Sequence, residues 1–456
     1  MSFMMLNIAA RALAAQQLAL DVTGNNMANA TTPGYHAETA NLTETPPEPI
    51  VALENSELGT GVVVSSVSRA ANPFLSRSVR TQLGNQGYWS SINQALSQIQ
   101  SLFQEPSPSG LQEGFNQFFA SWQTLSNNTE NQASQEQVLQ QGKNIASQFS
   151  TMATSITGEM QNLTHAAQNQ IAQINTLSQQ IAQLNTQIAS VTSSGGTAND
   201  LLDQRGQLLD NLSALTNVSY TVSANQEVNV YLGSNALVVN GNHYSLALTQ
   251  ATQAPSKYPM NAPLPYAVTW LASPTATGVP VLGLNSGQLS GTLRVLNTTL
   301  PSYLGQLNTL AYSFAKAVNS QSPTTFFTPL TTAAEQASAA TMLSVVPTLS
   351  PGSLEDAANP GNGSSALNVS QLGSSIDPQY TTLVGQVGVD GQNAVDQSHT
   401  AQTTLTSLQN TLQSSTGVDL NQQSAALIQE QQSYTAAATM VSVEQSTMQS
   451  LLQAVG

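Results

Sequence analysis

The sequence has very few charged residues and no cysteine. Of its 456 residues, 7% are Asp, Glu, Lys or Arg, against about 25% in ordinary globular proteins. The absence of cysteine excludes disulfide bonds, thiolate nucleophiles and cysteine-based metal sites. Nine Lys and Arg residues and a net charge of −15 leave no basic surface for nucleic acid or for an anionic membrane. We interpret the acidity as a source of solubility, because repulsion between like-charged molecules opposes aggregation.

Long hydrophobic runs are also absent. No stretch reaches the roughly 18 apolar residues that a membrane-spanning helix needs. The N-terminal segment "MSFMMLNIAARALAAQQLAL" has no basic beginning, and Arg11 interrupts its apolar run, so it does not have the pattern of a cleaved signal peptide. We therefore expect either a cytoplasmic protein or one that is exported by a route that reads an uncleaved N-terminus.

Catalytic and cofactor-binding motifs are missing as well. There is no Gly-x-Ser-x-Gly motif, and "QGKN" at 141–144 lacks the rest of a phosphate-binding loop. The histidines show no metal-ligand spacing, and a surface position is the more common place for each of them: His36, His165, His243 and His399. We predict a protein that is not an enzyme and that holds no cofactor or metal.

What the sequence does contain is hydrophobic periodicity at both ends. Apolar residues seven positions apart form a weak heptad seam, a line of contact between paired helices, over residues 3–27. A similar seam lies in the last hundred residues. The two seams predict that the terminal helices pair, and they supply our candidate assembly-interface residues: Leu6, Leu13, Leu20, Met27, Leu427, Tyr434, Val441 and Met448.

The stretch "NNMANATTPGY" should end the N-terminal helix and turn the chain. Asn25 and Asn26 can hydrogen-bond to nearby backbone and so loosen a helix end. Pro33 and Gly34 predict a type II turn, since Gly34 can adopt the positive φ that such a turn requires before Tyr35.

The interior is mostly helical in pattern. We predict helices over 74–104, 111–126, 133–192, 199–215 and 289–320, the third packed in coiled-coil fashion. Arg205 follows Asp203 and Gln204 in the fourth helix, "NDLLDQRGQLLDNLSAL", and Asp200 and Asp210 lie nearby. This concentration of charge predicts an ion pair that fixes one helix against another.

The hydrophobic periodicity changes from helical to strand-like between residues 218 and 284, where short runs of β-branched residues alternate with turn residues. Asn240-Gly241 between two apolar runs is a strong hairpin signal. A short strand is predicted at 62–64, and residues 321–370 are predicted to be irregular apart from a short helix near 332–343. We predict a mainly α protein with an inserted small β domain, divided into a terminal coiled-coil-like inner domain (1–35 plus 420–456), a long-helix body (36–216 plus 288–419) and the insertion (217–287).

Several blocks resemble a known family. "NNMANATTPGY" is similar to the N-terminal signature of bacterial flagellar axial proteins, which include rod, hook and hook-associated proteins. "GTGVVVSSVSR", "QFFASWQTLSNN", "NDLLDQRGQLLDNLSAL", the stretch from Ser286 to Asn319 and the C-terminal helix resemble the flagellar hook-associated protein 1 (FlgK) family more specifically. Their order and spacing cover most of the chain outside the β insertion and residues 321–370.

The resemblance implies a structural protein of the hook–filament junction. It implies secretion without a cleaved signal peptide to the extracellular flagellum, self-assembly into a ring, and contacts with hook protein, with a second junction protein of the hook-associated protein 3 family and with an export chaperone at the C-terminal helix. A hook or distal-rod protein is the alternative of the same class, although the long helix and the 199–215 block count against it. A secreted adhesin or surface hydrolase is an alternative of another class, for which the β region offers only His243, Tyr244 and Tyr231.

Overall fold

A computed structural model describes residues 2–49, 57–103, 105, 107, 108, 110–253, 263–272, 278–355 and 359–455. The longer helices are α1 (Ser2–Ala28), α2 (Pro73–Phe103), α3 (Leu111–Asn127), α4 (Gln132–Ser193), α5 (Asn199–Leu215), α7 (Leu300–Gln321), α11 (Gly373–Thr416) and α12 (Leu420–Val455). The shorter ones are α6 (Gln288–Arg294), which a π-helical turn (Val295–Thr299) joins to α7, and α8 (Ala333–Gln336), α9 (Ala339–Met342) and α10 (Ser364–Ser370). None of the helices in these ranges is long and apolar enough to cross a membrane.

The strands form four small antiparallel sheets. A hairpin joins β1 (Glu38–Glu44) to β4 (Val62–Arg69), and β2 (Glu48–Pro49) pairs with β3 (Glu57–Leu58) farther from its base. The remaining strands are β5 (Val218–Val222), β6 (Val228–Leu232), β7 (Asn235–Val239), β8 (Asn242–His243), β9 (Ser245–Gln250) and β10 (Tyr266–Ala272). The first four form a sheet of order β5-β6-β7-β8, and β9 pairs with β10.

The predicted helices are present with ends that differ by at most two residues, apart from the π-helical turn that interrupts 289–320. The long helix α4 is capped by Asn131, whose side chain accepts a hydrogen bond from the Ser134 amide. Ile174, Ile181 and Ile188, spaced seven residues apart as in a coiled coil, are buried. The Asn240-Gly241 hairpin is also present, because β7 and β8 pair across these two residues and Asn240 has a φ of +53°.

Only part of the β1–β4 hairpin was predicted from the sequence. The strand predicted in this region covered only 62–64. The structure pairs seven residues of β1 with β4, from Glu38↔Arg69 to Glu44↔Val62. Strand β1 is Thr-, Asn- and Glu-rich and exposed along much of its length, so it lacks the apolar alternation by which strands are recognised.

One continuous hydrophobic core joins the body helices to the β5–β10 strands. At its centre, aromatic rings pack with centroids 4.8–6.2 Å apart; they belong to Phe115, Phe118, Phe119, Trp122, Phe149, Phe314, Phe326, Phe327 and Tyr380. Phe326 and Phe327 come from the segment that we predicted to be irregular. That segment is irregular in shape, but it closes the core. Among the described residues, none of α1, of the β1–β4 hairpin or of α12 belongs to this cluster.

Candidate assembly surface and its joint with the body

Helices α1 and α12 pack side by side and antiparallel. Thr23 Oγ1 donates a hydrogen bond to Glu430 Oε1 (3.1 Å), and Asn26 Nδ2 donates one to Gln423 Oε1 (3.1 Å). Because the residue number rises along α1 as it falls along α12, these two contacts set the relative direction of the helices. The pairing of the two termini, predicted from their heptads, is therefore present.

The centre of the pair is not where we predicted it. The buried apolar residues of α1 are Ala9, Ala15, Ala19 and Val22, and α12 contributes Ala437. The predicted residues Leu6, Leu13, Leu20 and Met27 are half-buried at the flanks of this line, as are Leu427, Val441 and Met448, while Tyr434 is exposed. Small side chains let two helix backbones approach closely, so the alanines take the centre and the larger residues lie beside it.

The outer face of the pair carries apolar side chains without a partner in the described chain. They are large and at least two-fifths exposed: Met5, Leu18, Leu420, Ile428, Met440, Val443, Leu451 and Leu452. Scattered apolar residues are normal on a surface, but a helix that exposes this many along its length is characteristic of an interaction site.

Asn26 lies near the C-terminal end of α1 and is buried. Its Oδ1 accepts hydrogen bonds from the Glu38 amide (2.9 Å) and the Tyr35 hydroxyl (2.9 Å), and its Nδ2 donates to the Glu38 carbonyl (2.7 Å). Asn25, at the surface, donates to the Tyr35 hydroxyl (3.2 Å). Asn26 thus fastens β1 to α1 instead of only loosening the helix end.

The predicted turn follows. The Tyr35 amide donates to the Thr32 carbonyl (3.2 Å), and Gly34 has a φ of +76°, as the third residue of a type II turn requires. The Gln207 side chain donates to the carbonyl of Pro33, so the turn lies against α5. Burial raises the pKa of Tyr35 to about 12, and the nearby carboxylates add to the effect.

Next to this turn is a cluster that we call the joint: His36, Arg69, Arg80, Asp203 and Asp210. Asp203 forms an ion pair with Arg69, its Oδ1 lies 2.7 Å from His36 Nδ1, and its Oδ2 accepts from the His36 amide (3.1 Å). Arg80 Nε donates to Asp210 Oδ1 (2.7 Å). The two arginine–aspartate pairs and the His36–Asp203 contact join the hairpin base, α2 and α5.

Two other features complete the joint. The Ala37 amide donates to the Thr416 carbonyl (2.9 Å), which connects the chain leaving α1 to the end of α11. A cavity of about 370 Å³ lies beside the ion pairs, and its α11 wall is uncharged: Gln409, Asn410, Leu412, Gln413 and Thr416. The terminal pair therefore meets the body through polar contacts.

Arg205 has different partners from those we predicted. It is buried and donates to Asn185 Oδ1 (3.0 Å) and to the Gln226 carbonyl (2.6 Å), so it forms no ion pair with its neighbouring aspartates. Burial lowers its pKa to about 10, with Arg80 and Arg69 adding to the effect. The prediction of an ion pair at this motif holds for Asp203 and Asp210 but is wrong for Arg205. Gln204, the remaining residue of the motif, is exposed.

Among the described residues, five helix asparagines share an arrangement that we call the asparagine clamp, in which one side-chain amide both donates to and accepts from the backbone of a single residue in a strand or an isolated β-bridge. The pairs are Asn26 with Glu38, Asn175 with Leu246, Asn185 with Val228, Asn297 with Tyr266 and Asn319 with Phe327. An amide imitates a neighbouring strand in this geometry. No sequence signal separates these asparagines from those at the surface.

Within the described parts of the chain, no group of three or more His, Asp or Glu side chains could hold a metal ion. The clustered polar side chains described above bind one another and the backbone. Their arrangement can fix helices and a hairpin relative to one another, and it presents no aligned nucleophile and base.

The chain is similar to known flagellar proteins. The family described as "Flagellar hook-associated protein FlgK helical domain" matches residues 96–326, and "Flagella basal body rod protein" matches residues 6–36. The chain is 29% identical to flagellar hook-associated protein 1 of Bacillus subtilis over 508 aligned residues, which cover 100% of this chain and 99% of the relative. It is 30% identical to flagellar hook-associated protein 1 of Salmonella typhimurium over 70% of this chain, and there the match spans 56% of the relative's length.

A solved structure also matches in part. It is the flagellar hook junction protein FlgK from Burkholderia pseudomallei, which is 26% identical. The superposition covers 54% of this chain and 43% of that one, with a TM-score of 0.48.

Proposed function

The chain belongs to the family of flagellar hook-associated protein FlgK, and from this premise we propose that it is a structural subunit of the hook–filament junction. It would assemble on the distal end of the hook and support attachment of the filament. The observation that carries this proposal is the terminal helix pair, whose exposed apolar face needs neighbouring chains to be covered.

We assign one role to each of the three regions predicted above. Residues 1–35 and 420–456 would line the channel and contact neighbouring subunits, including through the flanking residues Leu6, Leu13, Leu20 and Met27. Residues 36–216 and 288–419 would form the body, and 217–287 would face outward. The partners would be further copies of this chain in a ring, hook protein below, the second junction protein above and an export chaperone that holds α12 before assembly.

We further propose export without cleavage, which the position of the seam supports. Ala9, Ala15 and Ala19 lie in the first twenty residues, so removal of a leader of ordinary length would delete half of the helix pair. We expect the protein recovered from flagella to begin at Met1 or Ser2. N-terminal sequencing that finds cleavage beyond about residue 15 would contradict this route.

The decisive experiment is deletion of the gene, with electron microscopy of the cells and gel analysis of the medium. A junction protein predicts intact hooks without filaments, and filament protein released into the medium. Loss of the hooks themselves would favour a hook or distal-rod protein. Normal filaments would refute an axial role and favour an adhesin or surface hydrolase. Re-expression of the wild-type chain is the control for effects on neighbouring genes.

A further inference from the structure

The first turn of α2 exposes an unusual surface patch. Phe74 is 78% exposed, although the whole chain contains only ten phenylalanines. Arg77 lies three residues later and therefore on the same face of the helix. Its guanidinium stands 5.9 Å from the ring centroid of Tyr220 in β5, and Val222, two residues farther along the same strand face, is 54% exposed.

The packing of α2 places these four side chains together. The end of α5 contacts α2 at Gly84 and Gly87, and β5 then runs back along α2 so that Tyr220 lies under Arg80 and Arg77. Val222 is consequently the strand residue nearest the start of the helix. Tyrosine and arginine are enriched among interface hot spots, and phenylalanine is enriched at interfaces, so Phe74, Arg77 and Tyr220 have the composition of an interface site.

Arg77 lacks a carboxylate partner among the described residues, in contrast to Arg69 and Arg80 beside it. In a chain with net charge −15, a cation left unpaired at the surface next to exposed Phe74 points to an acidic and apolar partner.

The β1–β4 hairpin has that complementary composition. It exposes three carboxylates, Glu44, Glu48 and Glu57, with no cation at ion-pair distance among the described residues. Leu42 is 46% and Leu58 is 43% exposed on the same hairpin. Glu48 and Leu58 are directly paired across the strands, so acidic and apolar groups lie side by side.

We propose that the hairpin of one subunit docks on the Phe74–Arg77–Tyr220–Val222 patch of a second copy of this chain. The two surfaces differ and lie on one chain, so the contact is head-to-tail, and repeated contacts of this kind close into a ring when the rotation between subunits permits. The inference rests on the proposed function, which supplies the ring, and adds the surfaces by which its subunits meet.

Charge reversal tests the pairing. Arg77→Glu should reduce incorporation into isolated hook–junction particles by roughly tenfold or more, as loss of a hot-spot residue does. Replacing Glu44, Glu48 and Glu57 together by Lys should do the same, and the two sets combined should restore incorporation to within about twofold, because the charges again attract. Arg294→Glu, at an exposed arginine elsewhere on the body, is the matched control and should incorporate normally.

Photo-crosslinking locates the contact directly. Benzoylphenylalanine at position 74 should produce chain-to-chain crosslinks in assembled particles, whereas the same group at Leu282, which is equally exposed (78%), should not. Trypsin cuts after Arg11, Arg69 and Arg77, so the product should join peptide 70–77 to peptide 12–69, which contains the hairpin.

Three results would overturn the proposal: normal incorporation of Arg77→Glu, failure of the combined charge exchange to restore assembly, or crosslinks from position 74 to a different protein or outside residues 36–70. None of these results would contradict the junction function itself, which the gene deletion tests independently. Circular dichroism melting of each purified variant checks that the exposed substitutions leave the body folded.

Discussion

The body and the terminal pair use the same mostly uncharged residues but bury them differently. The body packs nine aromatic rings into one core that runs through helices and strands. The terminal pair buries alanines and leaves its larger apolar residues at the flanks or outside. Since burial of an aromatic or leucine side chain is worth several times that of an alanine, we expect the body to be stable alone and the terminal pair to depend on neighbouring chains.

The largest effect on stability should come from the aromatic core. Phe314 is fully buried, with its ring 5.2–5.3 Å from those of Phe115, Phe118 and Phe327. Phe314→Ala should lower the free energy of unfolding of the body by about 3–5 kcal/mol, since it leaves a cavity. Denaturant titration measures this. The exposed Phe74→Ala should change it by less than about 0.5 kcal/mol, and equal losses in both variants would contradict the assignment of the core.

The next effect should come from an asparagine clamp. Asn185→Ala removes the partner of the Val228 amide and carbonyl and of Arg205, all in buried surroundings. An unpaired buried polar group costs about 1–3 kcal/mol. Because the surrounding groups can partly rearrange, we expect the free energy of unfolding to fall by about 2–4 kcal/mol in total. Exposed Asn169→Ala on the same helix is the control. A loss below about 0.5 kcal/mol for Asn185→Ala would show that the clamp is dispensable.

A smaller and local effect is expected at the joint. Asp203→Asn keeps the shape of the side chain but removes the charge that faces Arg69 and His36. Hydrogen bonds to charged groups contribute about 1.5–3 kcal/mol, so hydrogen exchange of β1 and β4 amides should accelerate by about tenfold or more. Asp200→Asn, an exposed aspartate on the same helix, should leave these amides unchanged. Equal exchange in the two variants would mean that the hairpin is held by other contacts.

The smallest effect on the body should follow from removing the terminal pair altogether. Deletion of residues 1–27 should leave the melting temperature of the body almost unchanged and abolish assembly, because no described side chain in this range belongs to the main core. Val441→Asp should act in the same way by placing a carboxylate beside the seam. In the free monomer we expect both terminal segments to be largely unfolded and to fold on binding. Strong hydrogen-exchange protection of residues 5–25 in isolated protein would refute this.

Only part of the candidate site could be predicted from the sequence. The turn at Pro33-Gly34 and the helix around Asp203 were readable, because each depends on residues a few positions apart. The partners of Asp203 were not, since Arg69 lies 134 positions away and His36 lies 167. For Arg205, nearness in sequence suggested aspartate partners, but the helix directs it to Asn185 and Gln226 instead.

By itself the sequence determined the helices, the Asn240-Gly241 hairpin and the presence of paired ends, because periodicity and turn preference act within a few residues. Tertiary structure decided which residues form the seam, how the polar β1 strand finds β4, and which asparagines become clamps. Leu13 and Ala15 are both apolar residues on one helix, and only the approach of α12 selects the alanine for the centre. Such choices depend on how closely distant segments can pack, which no local pattern encodes.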